Sequence, residues 1–156
     1  MHSDSPPEGG QPAPHPTRMP PLLRPGDRVA MFSPSSHAGR QPPEYLQQAL
    51  EILRGWGLQP VAHPEPDPRH LYLAGPDGER ARRFAEFYLD PEIKALFATR
   101  GGYGAARMLP LLDTATLRAA PPKWVVGMSD VVALFGYMQR ALGVSACTAP
   151  AWPPPA

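Results

Sequence analysis

Trp124-Val125-Val126-Gly127-Met128-Ser129-Asp130 reads as a short apolar strand that runs into a tight turn and then enters a helix. A strand–turn–helix of this kind can lift a serine hydroxyl to the top of a sheet, where it is placed to act as a nucleophile. Ser129 equally fits a plainer role, as an N-cap that accepts a bond from a first-turn N–H. The full pattern Gly-x-Ser-x-Gly is not met, because Val131 stands where the last glycine belongs. A nucleophilic serine also needs a base, usually a histidine oriented by a carboxylate. Downstream of Ser129 there is one acidic residue, Asp130, and no histidine.

Upstream, the pattern alternates between strand-like and helix-like segments. Residues 28–33 form a short apolar run after Pro25-Gly26-Asp27 and predict the first strand. Residues 44–56 place Leu46, Ala49, Leu50 and Leu53 at helical spacing, with Gly57 as the stop. Residues 58–62 predict a second strand, and 63–76 a Pro-rich loop. Residues 77–90 read as a helix whose buried stripe is Ala81, Phe84, Ala85 and Tyr88, with Glu79, Arg80 and Arg83 on its solvated face. A third strand is expected at 93–99, a helix running through Met108 to about Leu112, a fourth strand at 123–127 and a helix at 130–142. Alternation of short apolar strands with helices predicts an α/β fold, a parallel sheet with helices on its faces. Right-handed crossovers place the strand C-termini on one edge, where such sheets carry their chemistry. Three loops share that edge: Ser33-Pro34-Ser35-Ser36, Arg100-Gly101-Gly102-Tyr103-Gly104, and the turn at 127–130.

At 156 residues with 42% apolar content, the chain fits one domain with a core. Fifteen basic against 14 acidic residues leave a net charge of +1, which argues against a nucleic-acid partner. The single cysteine, Cys147, suits a reducing compartment and reads as a small apolar filler. No run matches a signal-peptide core of about 7–15 apolar residues, and none approaches the roughly 20 of a membrane span, so a cytoplasmic location away from membranes is expected. Of the 24 prolines, 11 lie before residue 44 and four in the last seven residues. Residues 1–21 alternate proline with small or polar residues and are expected to be a disordered tail. Residues 22–150 are expected to form the α/β domain, and 151–156 an irregular Pro-rich end. His2 and His15 fall in the tail. His37, His63 and His70 are expected to be exposed loop residues, with His37 the best placed of them to stand in as a base.

The loop Gly102-Tyr103-Gly104-Ala105-Ala106-Arg107 approaches the dinucleotide pattern Gly-x-Gly-x-x-Gly, but Arg107 holds the third position and the loop follows the third strand instead of the first. Its glycine amides can still approach an anion closely.

Taken in order, Gly26-Asp27-Arg28-Val29-Ala30 with Ser33-Pro34-Ser35-Ser36, Tyr72-Leu73-Ala74-Gly75 with Glu79-Arg80-Ala81, Arg100-Gly101-Gly102-Tyr103-Gly104, Pro122-Lys123 and Gly127-Met128-Ser129-Asp130 resemble the LD-carboxypeptidase family from about Leu22 to Pro150. That family includes the murein tetrapeptide carboxypeptidases and the microcin C immunity proteins. The resemblance implies a class I glutamine-amidotransferase-like (flavodoxin-like) three-layer domain in which Ser129 is the nucleophile. It implies an oxyanion hole from the backbone N–H groups of Asp130 and Gly102, and marks Ser35, Arg100, Gly101 and Tyr103 as substrate-loop candidates. It further implies a cytoplasmic, usually dimeric peptidase without metal or organic cofactor, acting on a murein peptide to release D-alanine. Met128 departs from the usual Tyr, Val132 from Thr, and Thr148-Ala149-Pro150 from His-Gly-Pro. In the family the glutamate and histidine of the triad come from a C-terminal domain that these 156 residues do not include, so they are expected to be nearly inactive alone and to expose apolar surface. The alternatives are a non-catalytic remnant and a small-ligand-binding α/β module.

Overall fold

The computed structural model describes residues 17–40, 42–63 and 68–148. Five parallel strands, β1 (Arg28–Phe32), β2 (Gln59–Ala62), β3 (Ile93–Ala98), β4 (Trp124–Gly127) and β5 (Cys147–Thr148), form one sheet in the order β2-β1-β3-β4-β5. The helices are α1 (Pro43–Gly55), α2 (Asp77–Leu89), α3 (Ala105–Met108), α4 (Thr114–Ala119) and α5 (Val132–Tyr137). Stepping from β1 to β2 moves one way along the sheet, and every later crossover moves the other way. Right-handed connections therefore put α1 on one face and α2 to α5 on the opposite one. The strand order reverses between β1 and β3, and the carboxyl edge there is where sheets of this kind hold ligands.

Strand alternation builds the two interfaces. Val29 and Met31 stand beside Ala95 and Phe97 across the β1–β3 pair and pack with Ala49, Leu53 and Leu58 on the α1 side. Ala30, Phe32, Leu96, Ala98 and Val125 face the other way, into the larger core with Phe84, Tyr88, Met108, Leu134 and Met138. Fully burying each such large apolar side chain contributes about 1.5–3 kcal/mol, so the α2–α5 side holds most of the folding energy. No helix among the described residues is long and apolar enough to cross a membrane.

Several expectations need correction. Residues 114–119 form a helix that the periodicity did not reveal; its N-cap, Asp113, accepts from the N–H groups of Ala115 and Thr116 at 3.1 and 3.2 Å. The expected helix over 130–142 is three joined turns, a 3-10 turn at Ser129–Val131, α5, and a π turn at Met138–Leu142, ended by Gly143 with φ of 65°. Cys147 is exposed in a short edge strand and is no core filler. Residues 17–21, within the expected tail, are among the described residues. The Arg18 N–H donates to Gly143 O (2.7 Å), and its guanidinium donates to the carbonyls of Ala120, Arg118 and Leu142. Residues 1–16 and 149–156, including the expected irregular end, lie outside the described residues.

Candidate active site

Ser129 sits just past β4 with φ of +59°, one of two non-glycine residues among those described that lie in the left-handed region. That conformation costs an L-residue roughly 1–2 kcal/mol and persists only where the surrounding structure fixes it. The cap role is not taken up: Met128 is the N-cap position, in extended backbone, and makes no side-chain cap bond. The Ser129 side chain is exposed and its hydroxyl has no hydrogen-bond partner among the described residues. Gly127 makes the turn possible, since a Cβ there would lie 2.8 Å from the Val131 side chain and 3.1 Å from Ala98 Cβ.

The glycine loop closes over this serine. A Cβ on Gly101 would lie 3.0 Å from Ser129 Cβ and 3.1 Å from Met128 O, so a larger residue there would push on the serine and its backbone. Gly102, with φ of +117°, would drive a Cβ to 2.2 Å from Ser36 Oγ. Its N–H has no hydrogen-bond partner among the described residues. A recess of about 170 Å³ brings Ser129 together with Gly101, Gly102, Arg100, Tyr45, Ala98, Gly127 and Met128. An exposed hydroxyl beside an uncommitted backbone N–H is what acyl transfer requires of a nucleophile and its oxyanion donor. The glycines of this loop are accounted for by close packing, and Arg107, at the position of the missing third glycine, pairs with Asp77 at 2.9 Å.

Not every expected site residue reaches the recess. Ser35 is fully buried, and its hydroxyl donates to Asp130 Oδ2 at 2.7 Å, so it is a framework residue and is not open to substrate. Tyr103 is exposed and tilted against Tyr72, ring centroids 5.9 Å apart, and does not line the recess. Asp130 does more than its backbone suggested. Its Oδ2 also accepts from Ala105 N at 2.8 Å, supplying the acceptor that Gly104, the N-cap of α3, has no side chain to provide. One carboxylate oxygen thus ties together the loops after β1, β3 and β4.

Arg80 is the second tie, and its placement overturns the solvated-face reading. Its side chain is fully buried. Nε donates to Gly75 O at 3.2 Å, and Nη1 donates to Gly104 O at 2.8 Å and to Pro34 O, while Nη2 pairs with Asp77. Arg83 is buried too, donating to Glu79 at 2.7 Å. Hydrogen bonds from Arg82 and then Arg83 hold the Glu79 carboxyl down at about 2. The sequence did carry a signal, because Arg80 stands four and seven residues before Phe84 and Phe87 and so shares their buried face. His63 is not an exposed loop histidine: its ring meets Glu86 at 3.0 Å and stacks edge-on to Phe87. Neither His37, His63 nor His70 lines the recess with Ser129.

Comparison with known proteins agrees with this architecture. Residues 29–149 match the family model for the LD-carboxypeptidase N-terminal domain. Over 128 residues the chain is 45% identical to a putative carboxypeptidase of Streptomyces coelicolor, covering 80% of this chain and 40% of that protein. It is 32% identical over 113 residues to the murein tetrapeptide carboxypeptidase of Pseudomonas aeruginosa, covering 72% of this chain and 36% of that one. Among solved structures, an MccF-like protein from Bacillus anthracis superimposes with a TM-score of 0.80 at 25% identity, covering 86% of this chain and 40% of that chain. The chain therefore spans about two fifths of the length of the relatives it matches.

Proposed function

The chain belongs to the LD-carboxypeptidase family, whose N-terminal domain it carries, and we propose that it supplies the nucleophile side of a serine peptidase acting on the L,D-amide of murein peptides. The observation that carries the reading is Ser129, held in the left-handed region with an exposed, unbonded hydroxyl against Gly101. Ser129 Oγ attacks the scissile carbonyl, and the developing oxyanion is received by the backbone N–H groups of Gly102 and Asp130. The C–N bond of the amide then breaks, D-alanine leaves with a proton, and water hydrolyses the acyl-serine. Asp130 and Arg80 act as positioning residues, holding the three loops so that Ser129 and Gly102 keep their spacing. A cytoplasmic location and a homodimer go with this reading.

The proton of Ser129 needs an acceptor. Among the described residues no histidine lines the recess, so the polypeptide by itself is expected to turn over at no more than the residual level that binding and oxyanion stabilisation give without a base. Imidazole in solution can stand in for that base. The test is mass-spectrometric detection of D-alanine released from the murein tetrapeptide by the 156-residue chain with and without imidazole. Imidazole-dependent release that Ser129→Ala abolishes is expected. No release with imidazole, or equal release by both proteins, would contradict the reading.

A further inference from the structure

Arg100 differs from the buried arginines of this molecule. Arg80 and Arg83 both have carboxylate partners. Arg100 lines the recess with Ser129, Gly101 and Gly102, and its Nε is buried with no hydrogen-bond partner. Among the described residues it makes no ion pair, and it is the one charged side chain lining that recess. Its Nη groups make no hydrogen bond among the described residues either, so a guanidinium at the wall of the recess has donors left for an anionic acceptor from outside the chain. The paired Nη–H groups, a fork at the end of the planar guanidinium, match a carboxylate with two parallel hydrogen bonds.

The chemistry of the proposed reaction names that acceptor. A peptidase that removes one residue from a C-terminus works on a substrate whose free carboxylate lies about one residue length, roughly 3.5 Å, beyond the scissile carbonyl. Gly101, next in the chain to Arg100, touches Ser129, so the guanidinium side chain starts one residue from the point of attack. We propose that Arg100 binds the terminal carboxylate of the leaving D-amino acid and thereby restricts cleavage to the last amide of a peptide. The inference rests on the Ser129 reading above and adds to it the group that selects a chain end over an internal amide.

The test is NMR on the ¹⁵N-labelled 156-residue chain, titrated with N-acetyl-L-alanyl-D-alanine and with the same dipeptide as its C-terminal amide. The acid should shift the Arg100 Nε–H resonance and bind about tenfold or more tightly than the amide, as expected for a charge-assisted pair. Arg100→Gln should erase the preference, and Arg100→Lys, which keeps the charge without the fork, should retain part of it. Thermal melts of both variants check that the fold is intact. If the acid moves the Gly101 and Gly102 amides but leaves Arg100 Nε–H still, or if Arg100→Gln keeps the preference, the Arg100 assignment falls and the Ser129 reading stands. If neither peptide moves any resonance of the recess, both fall.

Discussion

Arg80 and Asp130 on one side, and Ser129, Gly102 and Arg100 on the other, belong to the same carboxyl edge of the sheet but use their polar atoms in opposite ways. The first pair is committed. Arg80 donates to three backbone carbonyls and a carboxylate, and Asp130 Oδ2 accepts from a buried hydroxyl and a helix N-terminus. The second set has no partner among the described residues: a hydroxyl at φ of +59°, a glycine N–H, and a buried guanidinium Nε. The contrast separates the framework from the surface proposed to react. The framework absorbs the cost of ordering three loops, so the recess can present unsatisfied groups in fixed positions, and preorganisation of this kind is where catalytic sites gain most.

The sharpest way to break the comparison is to remove a framework group and find that little is lost. Arg80→Met strands the carbonyls of Pro34, Gly75 and Gly104 and leaves Asp77 without that partner. Urea denaturation should show a loss of about 3–5 kcal/mol, the cost of breaking a buried, hydrogen-bonded ion pair. A loss below about 1 kcal/mol would make Arg80 a bystander. The next test sets neighbours against each other. Asp130→Ala leaves the Ser35 hydroxyl and Ala105 N–H unsatisfied and should cost about 1–3 kcal/mol. Ser129→Gly breaks no hydrogen bond among the described residues and relieves the left-handed backbone, so the same denaturation assay should show a gain of about 1 kcal/mol. If both substitutions destabilise alike, the division between framework and reacting surface fails.

A smaller effect comes from the far end of β4. Lys123 is buried, and its ammonium donates to the carbonyls of Phe87 (3.2 Å) and Asp90 at the end of α2. Burial pushes its pKa down from 10.5 to about 8. Between those values the unfolded chain binds the extra proton, so this lysine's contribution to stability rises with pH from about 8 to 10.5 and is flat below 8. Melting curves of the parent should therefore gain on those of Lys123→Met across that window. A constant difference would show that the amine titrates normally.

How much of this could be read from the sequence depends on where each interaction partner lies along the chain. The strands β1, β3 and β4 and the three loops that follow them were legible, because apolar runs bounded by Gly and Pro are local signals. The two-residue β5 was not, since Cys147 and Thr148 are defined as strand only by pairing with Val126 and Gly127. Arg18 looked like tail because its acceptors are about a hundred residues away. Ser35 looked like a substrate contact for the same reason: its partner, Asp130, is 95 residues distant. Arg80 is the exception, legible from its spacing to Phe84 and Phe87 but masked by its charge. The left-handed backbone of Ser129 was beyond reach, since a serine in a turn carries no local mark of positive φ.

On the proposed function, Ser129 Oγ and the Gly102 N–H form and hold a tetrahedral adduct even without a base. The most direct measurement is ¹¹B NMR of the 156-residue chain with a peptidyl boronic acid whose boron replaces the scissile carbonyl after an L-configured residue. A boronic acid accepts a serine oxygen directly and takes on the tetrahedral geometry of the intermediate. A tetrahedral boron signal in the parent that is absent in Ser129→Ala, with a shift of the Gly102 amide in the matching ¹⁵N spectrum, is the predicted result. Boron that stays trigonal, or an adduct that forms equally in Ser129→Ala, would contradict the account.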